Sequence, residues 1–324
     1  MTAGDRGIAL ALLDPSIDSA NTGDLIIAES VAAALPRLGV VAGAVPRLPT
    51  QRRLTADERS IASNTRLMVV GGTNLLSSNM PFYRQWKINY RVARQWSGRV
   101  TLMGVGWWQY QQRPNRYTAA LLRAAFDGSP PPSVRDSYTR ARLAEVGVES
   151  INTGCPTMWA LPEAPETRRG RAGTVVMTVT DYHRDAAADT ALHGLLKQCY
   201  DRILIWPQGR KDESYLKQLR LDSEVIAPTL AELDHVLAGD VDYVGTRLHA
   251  GVRALQNGRR ATVIAVDNRA PEIASDTGLP VIKRDRLRAD WSLVVDERDV
   301  RIRVPHEAIS EWCAAVSHCL AARH

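Results

Sequence analysis

A strand, a tight turn and a helix follow one another without interruption from Val241 to Gly258 (VDYVGTRLHAGVRALQNG), and no other stretch restricts the possible architectures as much. Val241 to Gly245 is an apolar run of strand length, Gly245-Thr246 supplies the turn, and Leu248, Val252 and Leu255 share one face of a helix. Asn257-Gly258 stops that helix, because glycine takes the left-handed cap at no steric cost. Ala261 to Val266 is a second strand. The pattern is half of a βαβ unit, and Arg247 and His249 stand where strand gives way to helix. Ligands of open α/β sheets bind outside the carboxyl ends of the strands. There the first helical N–H groups and the helix dipole favour an anion. An arginine and a histidine two residues apart can grip a phosphate or carboxylate and also move a proton. The plainer alternative is an exposed arginine beside a histidine that caps the helix.

A chain of 324 residues has room for two domains, each with its own core. Hydrophobic residues at 45% and charged ones at 23% fit a soluble, enzyme-like protein. The apolar run Ile8 to Leu13 is flanked by Asp5 and Asp14, and no stretch reaches transmembrane length, so the cytoplasm is the expected location. Cys155, Cys199, Cys313 and Cys319 are scattered without C-x-x-C spacing, which argues against a metal site or a disulfide framework. The net charge of +6 raises nucleic acid as a partner. Against it, the arginines read as spread along the chain among acidic residues, and no nucleic-acid motif accompanies them. A small anionic substrate, or peripheral attraction to an acidic membrane surface, fits the charge as well.

In chain order, Gly7 to Leu13 reads as a strand buried on both faces, followed by a helix from Asp24 to about Leu35 with Asn21-Thr-Gly-Asp at its entrance. Asp24 is a good N-cap, and Gly23 permits a tight turn or the close approach of a ligand. Arg66 to Val70 is a strand ending in Gly71-Gly72-Thr73-Asn74, whose glycines expose backbone N–H groups as phosphate and sugar sites need. Arg99 to Val105 is a strand running into Gly106-Trp107-Trp108. Two adjacent tryptophans at a strand end cannot both point into one core. One is a candidate sugar-stacking face, with domain-interface packing as the alternative.

Arg135 and Asp136 again sit at a strand-to-helix junction, ahead of a helix over 138–146, and 148–152 is a strand. Asp136 or Ser137 can cap that helix, whereas Arg135 has no such local task. Cys155 reads as a small buried thiol. Pro162 to Gly173 is polar, rich in Pro and Gly, and the best linker. A second α/β series then follows, with strands at 174–180, 202–206 and about 225–226, and helices over 186–200, 214–220 and 230–237. Pro207-Gln208-Gly209-Arg210 ends one of these strands, Leu293 to Val295 reads as a late strand, and 305–322 is a closing helix. The expected organisation is α/β, with two Rossmann-like doubly wound domains, 1–165 and 172–324, facing across a cleft.

Taken together, Asn21-Thr-Gly-Asp24, Gly71-Gly-Thr-Asn-Leu75, Val134-Arg-Asp136, Gly154-Cys-Pro156, Pro207-Gln-Gly209 and Gly245-Thr-Arg-Leu-His-Ala250 resemble the polysaccharide pyruvyltransferase family in order and spacing, from about Ile8 to Gly278. Each motif is weak alone, but six in the right order are specific. The resemblance implies a glycosyltransferase-B-like fold, with the N-terminal domain on the acceptor side and the C-terminal domain on the phosphoenolpyruvate side. It implies transfer of the pyruvyl group of phosphoenolpyruvate to a pair of sugar hydroxyls as a ketal, in bacterial cell-envelope polysaccharide biosynthesis. The family's phosphoenolpyruvate residues carry over as Arg247, His249 and Arg135. Where the family usually has the third glycine of G-G-G-N, this chain has Thr73.

The chemistry asks for the same residue types. Phosphoenolpyruvate carries a carboxylate and a phosphate on one small frame, so it needs two cations, and arginine's fork suits both groups. His249 is the candidate acid, or stabilises the departing phosphate, and a nearby dianion holds its proton. Asp24 and Asp136 are both candidates for the base, and the sequence does not choose between them. Asn21, Gly23, Gly71, Gly72, Asn74, Trp107, Trp108, Gln208, Gly209, Arg210 and Thr246 complete the expected substrate-binding set. No metal and no cofactor are expected beyond the donor substrate. The partners are then phosphoenolpyruvate and a carbohydrate or glycolipid acceptor. A nucleotide-sugar glycosyltransferase of the same architecture is the alternative, with Asp267 and Glu272 open as ribose partners.

Overall fold

In a computed structural model, residues 8–83, 85–162, 170–296 and 300–322 are described. The chain divides into two compact units. The first gathers Met1–Ser19, Ile27–Trp159 and Pro305–His324, and the second Ala20–Ile26 and Ala160–Val304. These units differ from the expected 1–165 and 172–324 at both ends. Residues 20–26 group with the second unit and the closing helix His306–Ala321 with the first. That helix buries Ile309, Trp312, Cys313 and Val316, and Trp312 meets Trp159 edge-on at 5.9 Å. A linker search along the sequence cannot see a chain that returns. Most of the expected linker, residues 163–169, lies outside the described residues.

The first unit is built on β1 (Ile8–Asp14), β2 (Arg47–Pro49), β3 (Thr65–Gly71) and β4 (Val100–Met103), ordered β2-β1-β3-β4 with every pair parallel. β5 (Ser133–Val134) pairs in parallel with β6 (Ile151–Asn152), and a bridge from Val105 to Val134 joins that pair to the chain leaving β4. The strands are apolar because parallel sheets are covered on both faces. Leu67, Met68, Val69 and Val70 of β3 are all fully buried.

The second unit contains β7 (Thr174–Thr178), β8 (Arg202–Ile205), β9 (Glu224–Val225), β10 (Val241–Gly245), β11 (Ala261–Ala265) and β12 (Val281–Lys283). Their order is β12-β11-β10-β7-β8-β9, all parallel. Counted within the unit from β9, this is the doubly wound 3-2-1-4-5-6 order, whose direction of growth reverses between β7 and β10. In sheets of this order, ligands bind outside the carboxyl ends of the strands where the order reverses.

Helix starts are set by side-chain caps. Asn89, Asn115, Asp136, Asp185 and Thr229 each accept a backbone N–H from the first turn, and Thr55 with Glu58 forms a capping box. Two expectations are corrected here. The first long helix begins at Thr22, not Asp24, which lies inside its first turn. The residue at its entrance is Asn21, whose Oδ1 accepts the Gly23 N–H at 3.2 Å. The apolar run Leu293 to Val295 is not a strand but part of a helical turn, Ser292–Val295. Three apolar residues carry no period, so length alone misassigns them.

Candidate active site

The carboxyl ends of β7 and β10 are locked to each other before any side chain reaches out. The Thr246 N–H donates to the Thr178 carbonyl (3.1 Å) and the Arg247 N–H to Thr178 Oγ1 (3.1 Å). The Tyr243 hydroxyl donates to the Arg247 carbonyl at 2.7 Å, so the Thr178 hydroxyl donates to Tyr243 across their 2.7 Å contact. Burial pushes the Tyr243 phenol well above its ordinary value, keeping that donor protonated. Gly245 is required: a Cβ there would lie 2.6 Å from the Thr178 nitrogen and 2.9 Å from its carbonyl oxygen. Thr246, expected to touch substrate, spends its backbone N–H and its hydroxyl on the Thr178 carbonyl.

Arg247 leaves this junction into a shell of carboxylates. Its Nε donates to Asp212 Oδ2 (3.1 Å) and to the Val179 carbonyl (3.3 Å), while Nη2 reaches Asp212 Oδ1 and Asp181 Oδ1 (3.3 Å). Asp212 is fully buried and also accepts the N–H groups of Asp181 and Gln208, each at 3.0 Å. One carboxylate thereby ties the loops after β7, β8 and β10 together. Burial pushes the Asp212 carboxyl up, opposed by the Arg247 guanidinium and the two N–H donors. Arg247 Nη1 donates to no described residue.

The Arg247 guanidinium lies over the Tyr182 ring at 5.0 Å, and Arg269 lies over the same ring at 5.3 Å. Arg269 donates to the Tyr182 hydroxyl and is itself forked onto Asp267, with Nε to Oδ2 at 2.9 Å and Nη2 to Oδ2 at 2.6 Å. His249 is buried in the first turn of the Leu248–Gln256 helix. Asp181, Tyr182, Asp212 and Arg269 were not among the residues expected here. The only local signal was that Asp181-Tyr182 follows β7 as Arg247 follows β10.

Beside β8, two expected motifs meet within the same unit. Gln208 Nε2 donates to Asn21 Oδ1 at 2.6 Å, and the Thr22 N–H donates to the Gln208 carbonyl at 3.1 Å. A Cβ on Gly23 would come within 2.5 Å of Gln208 Nε2, so the close approach that the sequence allowed at Gly23 is made by Gln208. Gln208 Oε1 is buried without a partner among the described residues. Asp24 is buried beside this knot, Gly209 is extended at the entrance of the Arg210–Leu219 helix, and Arg210 is exposed.

The first unit gathers the remaining expected residues around Arg135. This side chain is 1% exposed; Nε donates to Asp136 Oδ2 at 3.1 Å and Nη2 to Asn74 Oδ1. Nη1 is buried and has no partner among the described residues. The guanidinium lies against the Gly106 backbone, where a Cβ would overlap it. Asp136 caps the Ser137–Ala144 helix by accepting the Thr139 N–H on Oδ1 (2.7 Å), so both its oxygens are engaged. Gly72 and Thr73 both have left-handed backbones (φ 62° and 58°). Gly71 packs on Val31 and Leu12. Thr73 is thus a β-branched residue where glycine would be unstrained. Thr73→Gly should raise stability by about 1 kcal/mol, read as a higher urea midpoint at unchanged slope.

The two tryptophans part company. Trp107 is fully buried, with its indole N–H donating to Gln111 Oε1 at 3.0 Å. Trp108 is half-buried and stacks on Tyr83, with ring centroids 4.2 Å apart. Cys155 is buried, accepts from the Thr157 hydroxyl at 3.1 Å, and has its thiol pushed up by burial, which leaves it a packed thiol.

Comparison with known proteins agrees with this topology. The crystal structure of Methanocaldococcus jannaschii UDP-GlcNAc 2-epimerase, in complex with UDP-GlcNAc and UDP, superposes with a TM-score of 0.54. The match covers 93% of this chain and 97% of that chain at 10% sequence identity. The fold is therefore α/β with two Rossmann-like domains of the glycosyltransferase-B kind. A family model described as polysaccharide pyruvyl transferase matches residues 21–268, and the chain belongs to that family of transferases. No curated protein matches at a significant level.

Proposed function

We propose that the chain transfers the pyruvyl group of phosphoenolpyruvate to two hydroxyls of a carbohydrate acceptor, releasing phosphate, and that Arg247 holds the donor. The observation that carries this reading is Arg247 itself. It stands at the crevice where the sheet order reverses, clamped through Nε and Nη2, with Nη1 donating to no described residue. A guanidinium immobilised on one edge is preorganised for an anion on the other. His249, two residues on and at a helix start, is our candidate proton donor.

Protonation of the donor's methylene carbon gives an oxocarbenium-like centre at C2. One sugar hydroxyl attacks that centre, the C2–O bond to phosphate breaks, and a second hydroxyl closes the ketal. Of the two hydroxyl protons, one is balanced by the new methyl group and the other leaves with phosphate. No water, metal or redox partner enters this stoichiometry. We place the reaction in the cytoplasm, where phosphoenolpyruvate is made. Among the described residues no helix is long and apolar enough to cross a membrane.

Phosphoenolpyruvate should raise the melting temperature of the wild type, and Arg247→Ala should weaken its binding at least tenfold, a loss of about 1.4 kcal/mol. Phosphate release should then appear with one member of a hexoside panel. An equal melting shift in the variant removes Arg247 from the donor site. Stabilisation by UDP or GDP in place of phosphoenolpyruvate replaces the reading with nucleotide-sugar chemistry.

A further inference from the structure

Charge is not mixed evenly along this chain, contrary to the first reading of its arginines. Between Glu58 and Asp127 there is no acidic residue at all, while residues 59–126 carry ten Lys and Arg and ten aromatic residues. Some of these cations are structural: Arg99 is tied to the carbonyls of Ala62, Ser63 and Thr65, and Arg66 to that of Leu320. Of the remainder, Lys87 and Arg113 lie on the two loops that leave the carboxyl ends of β3 and β4, and Arg91 and Arg116 lie in the first turns of the helices that follow those loops.

Those loops are fastened together. Asn115 Nδ2 donates to Asn79 Oδ1 (2.7 Å), the Met80 N–H to Thr118 Oγ1 (3.0 Å), and the Tyr117 hydroxyl accepts the Tyr90 N–H (3.2 Å). Their outward side chains are aromatic to an unusual degree. Phe82 is 81% exposed and Tyr110 60%, and Tyr83, Tyr90 and Tyr117 are exposed as well. Lys87, Arg91, Arg113 and Arg116 are exposed among them. Arg113 donates to the Glu145 carbonyl, and the Glu145 carboxylate is itself held by Arg142.

An open phenylalanine ring in water is unfavourable, and it marks a surface that meets something. The covering partner must accept aromatic rings and several cations together without supplying cations of its own. An anionic bilayer interface does both: rings of Tyr, Trp and Phe settle at headgroup depth, and Lys and Arg stay over the phosphates. We propose that this aromatic and cationic rim of the first unit docks the enzyme peripherally on a bilayer rich in anionic phospholipid. The proposal does not depend on which donor the enzyme uses. The rim belongs to the same two loops, leaving β3 and β4, that carry Asn74 and Gly106.

The test is co-sedimentation of the full chain with vesicles of phosphatidylcholine containing phosphatidylglycerol, against pure phosphatidylcholine. The wild type should sediment with the anionic vesicles only, less so as salt rises. Arg113→Gln with Arg116→Gln should weaken binding roughly thirtyfold, from about a tenfold factor per 1.4 kcal/mol and about 1 kcal/mol per cation at such a surface. Phe82→Ser with Tyr110→Ser should remove the part of the binding that survives high salt. Both pairs are surface changes and should leave phosphoenolpyruvate-induced stabilisation intact, which separates failure of the docking surface from failure of the donor assignment. Absence of binding to anionic vesicles overturns the proposal. So does equal binding to neutral vesicles, indifference to both pairs, or retention of RNA or a soluble glycan instead.

Discussion

Asp212→Ala should destabilise the chain by about 3–5 kcal/mol, measured by urea unfolding, because it strips a buried arginine of its main counter-charge. The carboxylate is fully buried and receives both Nε and Nη2 of Arg247. It also receives the N–H groups of Asp181 and Gln208. After its removal, Arg247 keeps the 3.3 Å contact to Asp181, one carbonyl and the face of the Tyr182 ring. Two backbone donors lose their partner at the same time, each costing about 1–3 kcal/mol if left unpaired. Asp212→Asn retains an acceptor and should cost less than alanine.

The companion experiment separates structure from ligand binding. Replacing the pair by apolar residues of similar size, Asp212→Leu with Arg247→Met, should recover the part of the loss that comes from the unpaired Arg247 charge, while the Asp181 and Gln208 N–H groups stay without their acceptor. A buried ion pair is often no better than a well-packed apolar one. The recovered protein should still fail to respond to phosphoenolpyruvate. A loss below about 1 kcal/mol in Asp212→Ala would show that the pair does not anchor the three loops.

Gly106→Ala carries the second large effect, and it should act entirely through another residue. A Cβ at position 106 would occupy the space of the Arg135 Cζ, Nε and Nη2 atoms. The guanidinium cannot retreat into solvent, since the side chain is 1% exposed and held by Asp136 and Asn74. One methyl group therefore breaks an ion pair and overpacks the site, at about 1–3 kcal/mol of stability. If Arg135 supplies a preorganised charge to the reaction, turnover falls roughly a hundred- to a thousand-fold. Gly106→Ala should then reproduce the kinetic profile of Arg135→Ala, including its change in the KM for phosphoenolpyruvate. Wild-type turnover in Gly106→Ala would exclude the role given to Arg135.

What the sequence revealed was whatever local pattern decides. The strand–turn–helix from Val241 to Gln256 is a short-range signal, and Arg247 and His249 lie where that signal placed them. Most of the parallel strands were legible for the same reason, as apolar runs, but the three-residue β2 gives no such run and was not foreseen. Relations between distant residues were not. Asp212 meets Arg247 across 35 positions and Gln208 meets Asn21 across 187, and neither spacing leaves a trace in a single chain. Asp136 looked equally suited to cap or to base; only its geometry shows the cap. The Trp107-Trp108 pair announced that one ring must turn outward, but which one follows from Gln111, whose side chain holds the indole of Trp107 inside. Thr73 read as a change of side chain, whereas it is a change in backbone strain.

The course of the backbone has a practical consequence for anyone dissecting this enzyme. The helix Thr22–Ala34 starts with residues grouped in one unit and finishes with residues grouped in the other, and the last helix rejoins the first unit. Severing the chain near residue 165 therefore yields no self-sufficient half. A C-terminal piece would lack Asn21 and leave the Gln208 amide donor unanswered, and an N-terminal piece would leave Trp159 without the ring of Trp312. Truncations should be laid out along the folded path, with residues 20–26 supplied in trans or by permuting the termini.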